Sequence, residues 1–283
     1  MKIVTNPREM QNISRSLIVG GKTIGFVPTM GYLHAGHLSL VKASRAENDF
    51  TVVSIFVNPT QFAPNEDFSK YPRDMEKDEK LLVEEGVDYL FYPSATDIYP
   101  SGFETYVEQE KIAHTFEGEF RPTHFRGVTT IVSILFNIVQ PTKAYFGQKD
   151  AQQCAVLSRM VKDLWFPVEM VVCPIVREED GLALSSRNVY LNKMERQEAL
   201  ILSKTIEFAK NLIREGERDT NTISTLAMEN LEKPVSAKPD YFLVVKYDSF
   251  ESVEKLEPGE KYFLLAACSI GKTRLIDNAI ITV

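Results

Sequence analysis

Two histidines, His34 and His37, stand three residues apart in the stretch PTMGYLHAGH, residues 28–37. The chain has four histidines in all, so half of its imidazoles meet at one turn. Imidazole donates hydrogen bonds and is neutral or cationic near neutral pH. Gly31 and Gly36 allow close approach of the backbone to a ligand. A helix starting near Gly36 or His37 adds unsatisfied N–H groups and a positive dipole end, which together make an anion site. Such donors suit a nucleoside triphosphate attacked at its α-phosphorus, where charge builds on the phosphoryl oxygens. The plainer reading is a glycine turn carrying two incidental histidines.

Three further clusters have chemical potential. FVNPTQF (56–62) offers Asn58 and Gln61, neutral amides that both donate and accept; an Asn-Pro turn explains the same residues without function. FGQKDAQQ (146–153) offers one cation, Lys149, with Asp150 as a candidate helix N-cap. Gln152 and Gln153 fall in the first turn of that helix, where solvated polar residues are the alternative. VREEDGLALSSRN (176–188) offers two hydroxyls and Arg187, whose guanidinium can grip phosphate oxygens in bidentate fashion. A loop of this kind could close over a nucleotide, or serve as a polar linker. ACSIGKT (267–273), preceded by Ala266 where a phosphate loop needs glycine, reads as a chance match because no parallel βαβ unit surrounds it. His114 and His124 lack evident metal partners and read as structural.

Alternating strand-like and helix-like segments must position these groups. Residues 23–27 (TIGFV) read as a strand and 38–46 as a helix. FTVVSIFV (50–57) is a nearly continuous apolar run, as in a strand buried on both faces. Residues 74–85 form a polar helix stopped by Gly86, and DYLFY (88–92) a strand. VTTIVSILFNIV (128–139) is apolar nearly all round and too long for a strand, so it reads as a buried helix. A short strand at 143–146, a helix at 151–164 and a strand at 168–173 complete an open parallel α/β sheet. The pattern then changes. Residues 194–215 read as one long amphipathic helix and 222–231 as a second, followed by β-rich runs at 241–245, 262–266 and 279–283. Helices followed by clustered strands indicate a smaller α+β domain, with the boundary near residue 175.

The bulk properties exclude several classes. The chain has 283 residues, is 44% apolar and 25% charged, and carries a net charge of −7. That balance fits a soluble globular protein and argues against a general nucleic-acid binder. A locally positive pocket for a small anion remains compatible with it. No apolar run reaches membrane-spanning length. The first ten residues lack the basic and apolar regions of a secretory signal, so a cytoplasmic location is expected. Cys154, Cys173 and Cys268 are too scattered for a disulfide framework or a thiolate metal site, and read as buried thiols.

In their order and spacing, PTMGYLHAGH, FVNPTQF, YPRD, HFRGV, AYFGQKDAQQ, DGLALSSRN and GKTRLIDN resemble the pantoate–β-alanine ligase family of the HxGH nucleotidyltransferase superfamily. The resemblance spans essentially the whole chain. It implies a Rossmann-like parallel-sheet domain (1–175) binding nucleotide and pantoate, and a smaller C-terminal α+β lid domain (176–283). It implies ATP-dependent condensation of pantoate with β-alanine through pantoyl adenylate, assisted by Mg²⁺, in a homodimer that binds neither nucleic acid nor membrane. It assigns Met30, Gly31, Tyr32, Leu33, His34, Ala35, Gly36 and His37 to ATP, with His34 and His37 facing the phosphates and His37 as proton donor. It assigns Gly147, Gln148, Lys149 and Asp150 to the nucleotide, with Lys149 on phosphate and Asp150 on ribose. Val176 would touch adenine, and Leu184, Ser185, Ser186 and Arg187 would close the phosphate side. Gln61 and Gln153 would hold pantoate, and Asp78 would contact Mg²⁺. The alternatives are a nucleotidyltransferase acting on a phosphorylated cofactor precursor, a synthetase-like tRNA-binding protein, and a metal-dependent hydrolase built on the histidine pair.

Overall fold

The computed structural model describes residues 1–64 and 66–283. The chain forms two compact units: residues 1–148 with 152–174, and residues 149–151 with 175–283. The first unit holds strands β1 (Lys2–Val4), β2 (Ile24–Thr29), β3 (Phe50–Ile55), β4 (Tyr89–Phe91), β5 (Lys143–Gly147) and β6 (Glu169–Cys173). They form one sheet in the order β1-β4-β3-β2-β5-β6, parallel throughout. The strand order reverses between β2 and β5. In open α/β sheets, ligands bind beyond the carboxyl ends of the strands at such a switch.

Helices α1 (Pro7–Val19), α2 (Ala35–Glu47), α3 (Met75–Glu84), α4 (Ala95–Ile98), α5 (Glu117–Phe120), α6 (His124–Val139) and α7 (Ala151–Asp163) accompany these strands. Successive side chains of a strand point to opposite faces. Phe26 and Val52 therefore pack with Met10 of α1, Leu135 of α6 and Leu157 of α7. Their neighbours Val27 and Val53 pack on the other face with Leu40 and Val41 of α2 and Leu82 of α3. Covered on both faces, β3 needs the nearly continuous apolar run that its sequence shows, with only the small hydroxyl residues Thr51 and Ser54 interrupting it. Each of these fully buried side chains is worth on the order of 1.5–3 kcal/mol. α6 is buried along nearly its whole length and ends at Gln140, whose left-handed φ of 47° caps it.

The second unit holds helices α8 (Lys193–Glu198), α9 (Ile201–Arg214) and α10 (Thr220–Leu231) and strands β7 (Ala237–Lys246), β8 (Lys261–Ile270) and β9 (Thr273–Thr282). The strands form an antiparallel sheet in sequential order. Leu202, Ile206, Ala209 and Ile213 of α9, with Ile223, Ala227 and Leu231 of α10, pack against Phe242, Val244, Leu264 and Ala266. A parallel-sheet domain with a smaller α+β domain is therefore the architecture, as the segment pattern predicts.

Some elements differ from the sequence expectation. The single helix expected over 194–215 is two helices. At the join, Leu200 N–H bonds Gln197 O and Leu202 N–H bonds Ala199 O, a three-residue tightening that shifts the register. β2 runs on through Pro28 to Thr29 instead of ending at Val27. The phosphate-loop mimic is the β8–β9 hairpin, with Gly271 at φ 59° in its turn.

Candidate active site

The turn after β2 is built by hydrogen bonds from three sides. Thr29 Oγ1 donates to Ser54 O (2.8 Å) and accepts from Gly31 N (3.2 Å). Gly31 and Tyr32 then take left-handed φ values of 81° and 51°. Asp78, from the first turns of α3, accepts from Tyr32 N and Leu33 N, both at 2.7 Å. Burial pushes the Asp78 carboxyl above its ordinary range, and the two N–H bonds only partly oppose this.

His34 is the N-cap of α2, a position usually held by Ser, Thr, Asp or Asn. Its Nδ1 accepts from Gly36 N (3.2 Å), and His37 Nδ1 accepts from His34 N (3.4 Å). The rings lie 4.0 Å apart at 36°. A nitrogen that accepts carries no proton, so each neutral ring holds its proton on Nε2. The cap therefore makes both histidines Nε2–H donors at the positive end of α2.

Gln61 sits in a one-turn helix over Pro59–Gln61, capped by Asn58. Asn58 follows the carboxyl end of β3 and is buried, at 1% exposure. Its Nδ2 donates to Gln61 Oε1 (3.0 Å) and Gly127 O (3.1 Å), and its Oδ1 accepts from Thr60 Oγ1 (3.0 Å) and Tyr99 OH (2.8 Å). With Oε1 engaged by Asn58, the Gln61 amide offers its NH₂, which reaches Met30 Sδ at 3.1 Å. Gln61 is thus oriented as a donor. Its backbone is held as well: His124 Nδ1 bonds Gln61 O (3.0 Å), and Arg121 links His124 to Glu66. His124 is structural, as expected.

The approach of α6 to this turn requires glycine. A Cβ on Gly127 would lie 2.5 Å from Thr60 O and 2.6 Å from Gln61 N and Cα. These are backbone atoms, so nothing flexible can give way. Gly127→Ala should cost about 1–3 kcal/mol through overpacking, read as a lowered midpoint of urea unfolding. An unchanged midpoint would mean that the turn yields freely.

Gln152 is buried, which removes the solvated alternative for it. It donates to Ile112 O and Thr115 O (both 2.7 Å) and accepts from Glu117 N (3.1 Å), tying down a loop. Gln153 is half-buried, and Gln148 closes the first unit's part of the turn after β5.

In the second unit, Asn278 Nδ2 donates to Lys149 O (2.9 Å), and Lys149 Nζ lies 3.6 Å from Asp150 Oδ1. The 176–188 segment is folded, not a polar linker. Leu184 N donates to Val176 O (3.0 Å), which closes a hairpin turned at Gly181. Ser185 caps the turn Ser186–Tyr190 by accepting from Arg187 N (3.3 Å). Val176 and Leu184 are thus brought together, as are Ser185 and Arg187. Arg177, absent from the sequence-based set, anchors the hairpin: it bonds Asp277 at 2.7 and 2.8 Å and Gly181 O at 3.0 Å.

Metal ligation fits poorly. No group of three or more His, Cys, Asp or Glu side chains that could hold a metal occurs among the described residues. Asp78 is 1% exposed with both oxygens engaged by backbone N–H groups. The three cysteines are buried thiols, as expected.

A parallel sheet whose switch-point strand runs into an imidazole-capped helix defines the class: an α/β fold that carries an HxGH turn at the carboxyl end of β2. The sequence matches the family described as Pantoate-beta-alanine ligase over residues 2–280, and the chain belongs to that family. It is 54% identical to the pantothenate synthetase of Thermotoga petrophila over 99% of this chain and 100% of that one. It is 53% identical to that of Caldicellulosiruptor saccharolyticus over the full length of both. A crystal structure of the Thermus thermophilus pantothenate synthetase superposes with a TM-score of 0.92 at 44% identity, covering 99% of each chain. The Francisella tularensis pantoate-beta-alanine ligase, complexed with beta-gamma ATP and beta-alanine, gives 0.79 at 38% identity over 99% of this chain and 97% of that one.

Proposed function

We propose that this chain condenses pantoate with β-alanine in two steps at the site described. In the first, a pantoate carboxylate oxygen attacks the α-phosphorus of ATP. The bond to the bridging oxygen breaks, and pyrophosphate leaves with the electron pair. In the second, the β-alanine amine attacks the acyl carbon of pantoyl adenylate, the bond to AMP breaks, and the amine loses a proton. The observation that carries the reading is the reciprocal histidine cap, which leaves Nε2–H as the donor of each neutral ring at the N-terminus of α2. Attack of one anion on another needs such donors, and they act most strongly where water is excluded.

The remaining assignments follow. Residues 30–37 bind the phosphates. Gln61, oriented as a donor by Asn58, meets a carboxylate or hydroxyl oxygen of pantoate, and Gln153 holds the same substrate. Gly147, Gln148, Lys149 and Asp150 contact the nucleotide, Val176 the adenine, and Leu184–Arg187 the phosphate side. Residues 1–175 bind nucleotide and pantoate; residues 176–283 exclude water from the adenylate. Magnesium, where bound, would supply charge neutralisation of the polyphosphate, and no described side chain is assigned to hold it. Family membership supports a homodimer located in the cytoplasm as part of this reading.

The test is pyrophosphate–ATP isotope exchange with magnesium, with and without pantoate, in the absence of β-alanine. Exchange that requires pantoate is the expected result. Its absence in folded protein that still binds ATP would overturn the reading in favour of nucleotidyl transfer without ligation.

A further inference from the structure

We propose that Asp78 is a positioning residue for the ATP turn, holding the Gly31–Leu33 backbone in its binding shape, and that it is not a magnesium ligand. The inference rests on the reading of that turn as the ATP site, and it goes further by assigning the buried carboxylate beneath it.

The geometry carries it. The two oxygens divide between two successive N–H groups, Oδ2 to Tyr32 and Oδ1 to Leu33, each at 2.7 Å. The side chain is sealed from solvent at 1% exposure. It also lies hard against the turn: a Cβ placed on Gly31 would come within 3.1 Å of Oδ2 and 3.0 Å of Ile55 Cγ2. A hydrated magnesium ion needs exposed oxygens with room for its waters, and Asp78 offers neither. The turn needs what Asp78 does offer. Tyr32 holds a left-handed φ of 51°, which side-chain-bearing residues adopt only when their surroundings enforce it. A second grip comes from the same helix, where Lys77 Nζ lies 5.0 Å from the centroid of the Tyr32 ring. Asp74 caps α3 through Lys77 N (3.1 Å) and fixes the turn from which Lys77 and Asp78 project. Leu33, the second residue held by Asp78, directly precedes the His34 cap, so the carboxylate sets where α2 begins.

The experiment compares Asp78→Asn with the parent chain in three ways: ATP binding by calorimetry in EDTA, ATP binding with magnesium, and amide hydrogen exchange of peptides covering residues 30–38. Asparagine keeps the size but turns an NH₂ toward one of the two N–H groups. ATP binding should weaken by about 10- to 100-fold, the range for losing a charge-assisted hydrogen bond, and by the same factor in EDTA as with magnesium. The 30–38 peptides should exchange faster, and the magnesium concentration for half-maximal turnover should stay unchanged. Unaltered ATP binding in EDTA, with a loss confined to magnesium-containing buffer, would overturn the proposal. If Asp78→Asn does not fold, Asp78→Glu carries the test: it keeps the carboxylate, and with it any capacity to ligate a metal, but its longer stem displaces the oxygens from the two N–H groups, so it should reproduce the magnesium-independent loss. Parent protein that binds ATP but shows no pantoate-dependent exchange would sink the ligase reading and leave the role of Asp78 to be judged by the binding data.

Discussion

Replacing His37 by alanine should slow pantoate-dependent pyrophosphate–ATP exchange by about 10²–10³-fold, the usual effect of removing one preorganised donor from a developing oxyanion. The loss should fall on the exchange rate at saturating ATP more than on ATP affinity, because the donor is most needed when charge reaches the phosphoryl oxygens. The cap geometry separates the two histidines. His37 gives the backbone only a 3.4 Å bond to His34 N, whereas His34 accepts at 3.2 Å from Gly36 N as the N-cap of α2. His37→Ala should therefore leave thermal stability nearly unchanged. His34→Ala should lose activity and about 0.5–2 kcal/mol of stability, the range for removing an N-cap. His37→Gln is the informative control, since a glutamine amide can accept with its oxygen and donate with its nitrogen. It should recover part of the rate. A His37→Ala variant that exchanges within about threefold of the parent, by an order-of-magnitude standard, would remove the donor role from the mechanism.

The histidine pair was legible in the sequence because its chemistry is local. A strand, a glycine turn and a helix start are read from neighbouring residues, and so is the spacing of two imidazoles. The buried strand FTVVSIFV and the largely apolar run in α6 were legible for a similar reason: burial on most sides leaves little polar face to find. The tautomer of the pair was not legible, because it depends on which backbone N–H each Nδ1 accepts. Asp78 reads as a helix residue in sequence, and its targets lie 45 and 46 positions away. Asn58 and Gln61 look equivalent in an Asn-Pro turn, yet one is a buried spacer and the other the donor that it orients. Edge elements were missed for want of signal in β1, which has three residues. α1 was missed despite a usable one, since Asn6 caps it and Pro7 opens it. The strand order follows from crossovers that no single segment encodes.

Arg177→Met should destabilise the chain by about 3–5 kcal/mol, the cost of leaving a buried charge without its partner. Among the ion pairs of the described residues, this one has the most deeply buried carboxylate. The Asp277 side chain is 2% exposed and meets the guanidinium in bidentate fashion at 2.7 and 2.8 Å. Lys80 and Glu84, by contrast, are 79% and 58% exposed at 4.0 Å, and breaking that contact should change stability by less than about 1 kcal/mol. Methionine keeps much of the length and apolar volume of arginine, so the loss reports charge more than packing. Urea unfolding of the full chain, followed by far-ultraviolet circular dichroism, reads both variants. Adding Asp277→Asn to Arg177→Met removes the orphaned charge, so the double variant should recover at least half of what the single one lost. No recovery would mean that the penalty lies elsewhere, in the bonds from Arg177 to Gly181 O and Asn278 O that close the hairpin. Under the proposed assignment of Val176 and Leu184–Arg187 to the nucleotide, the same anchor would bear on catalysis, because those residues hang on that hairpin. At temperatures where Arg177→Met remains folded, its ATP affinity should fall as the Val176–Leu184 closure loosens, while the rate dependence on His37 stays intact. A variant that loses stability but binds ATP as the parent does would detach this hairpin from the nucleotide site.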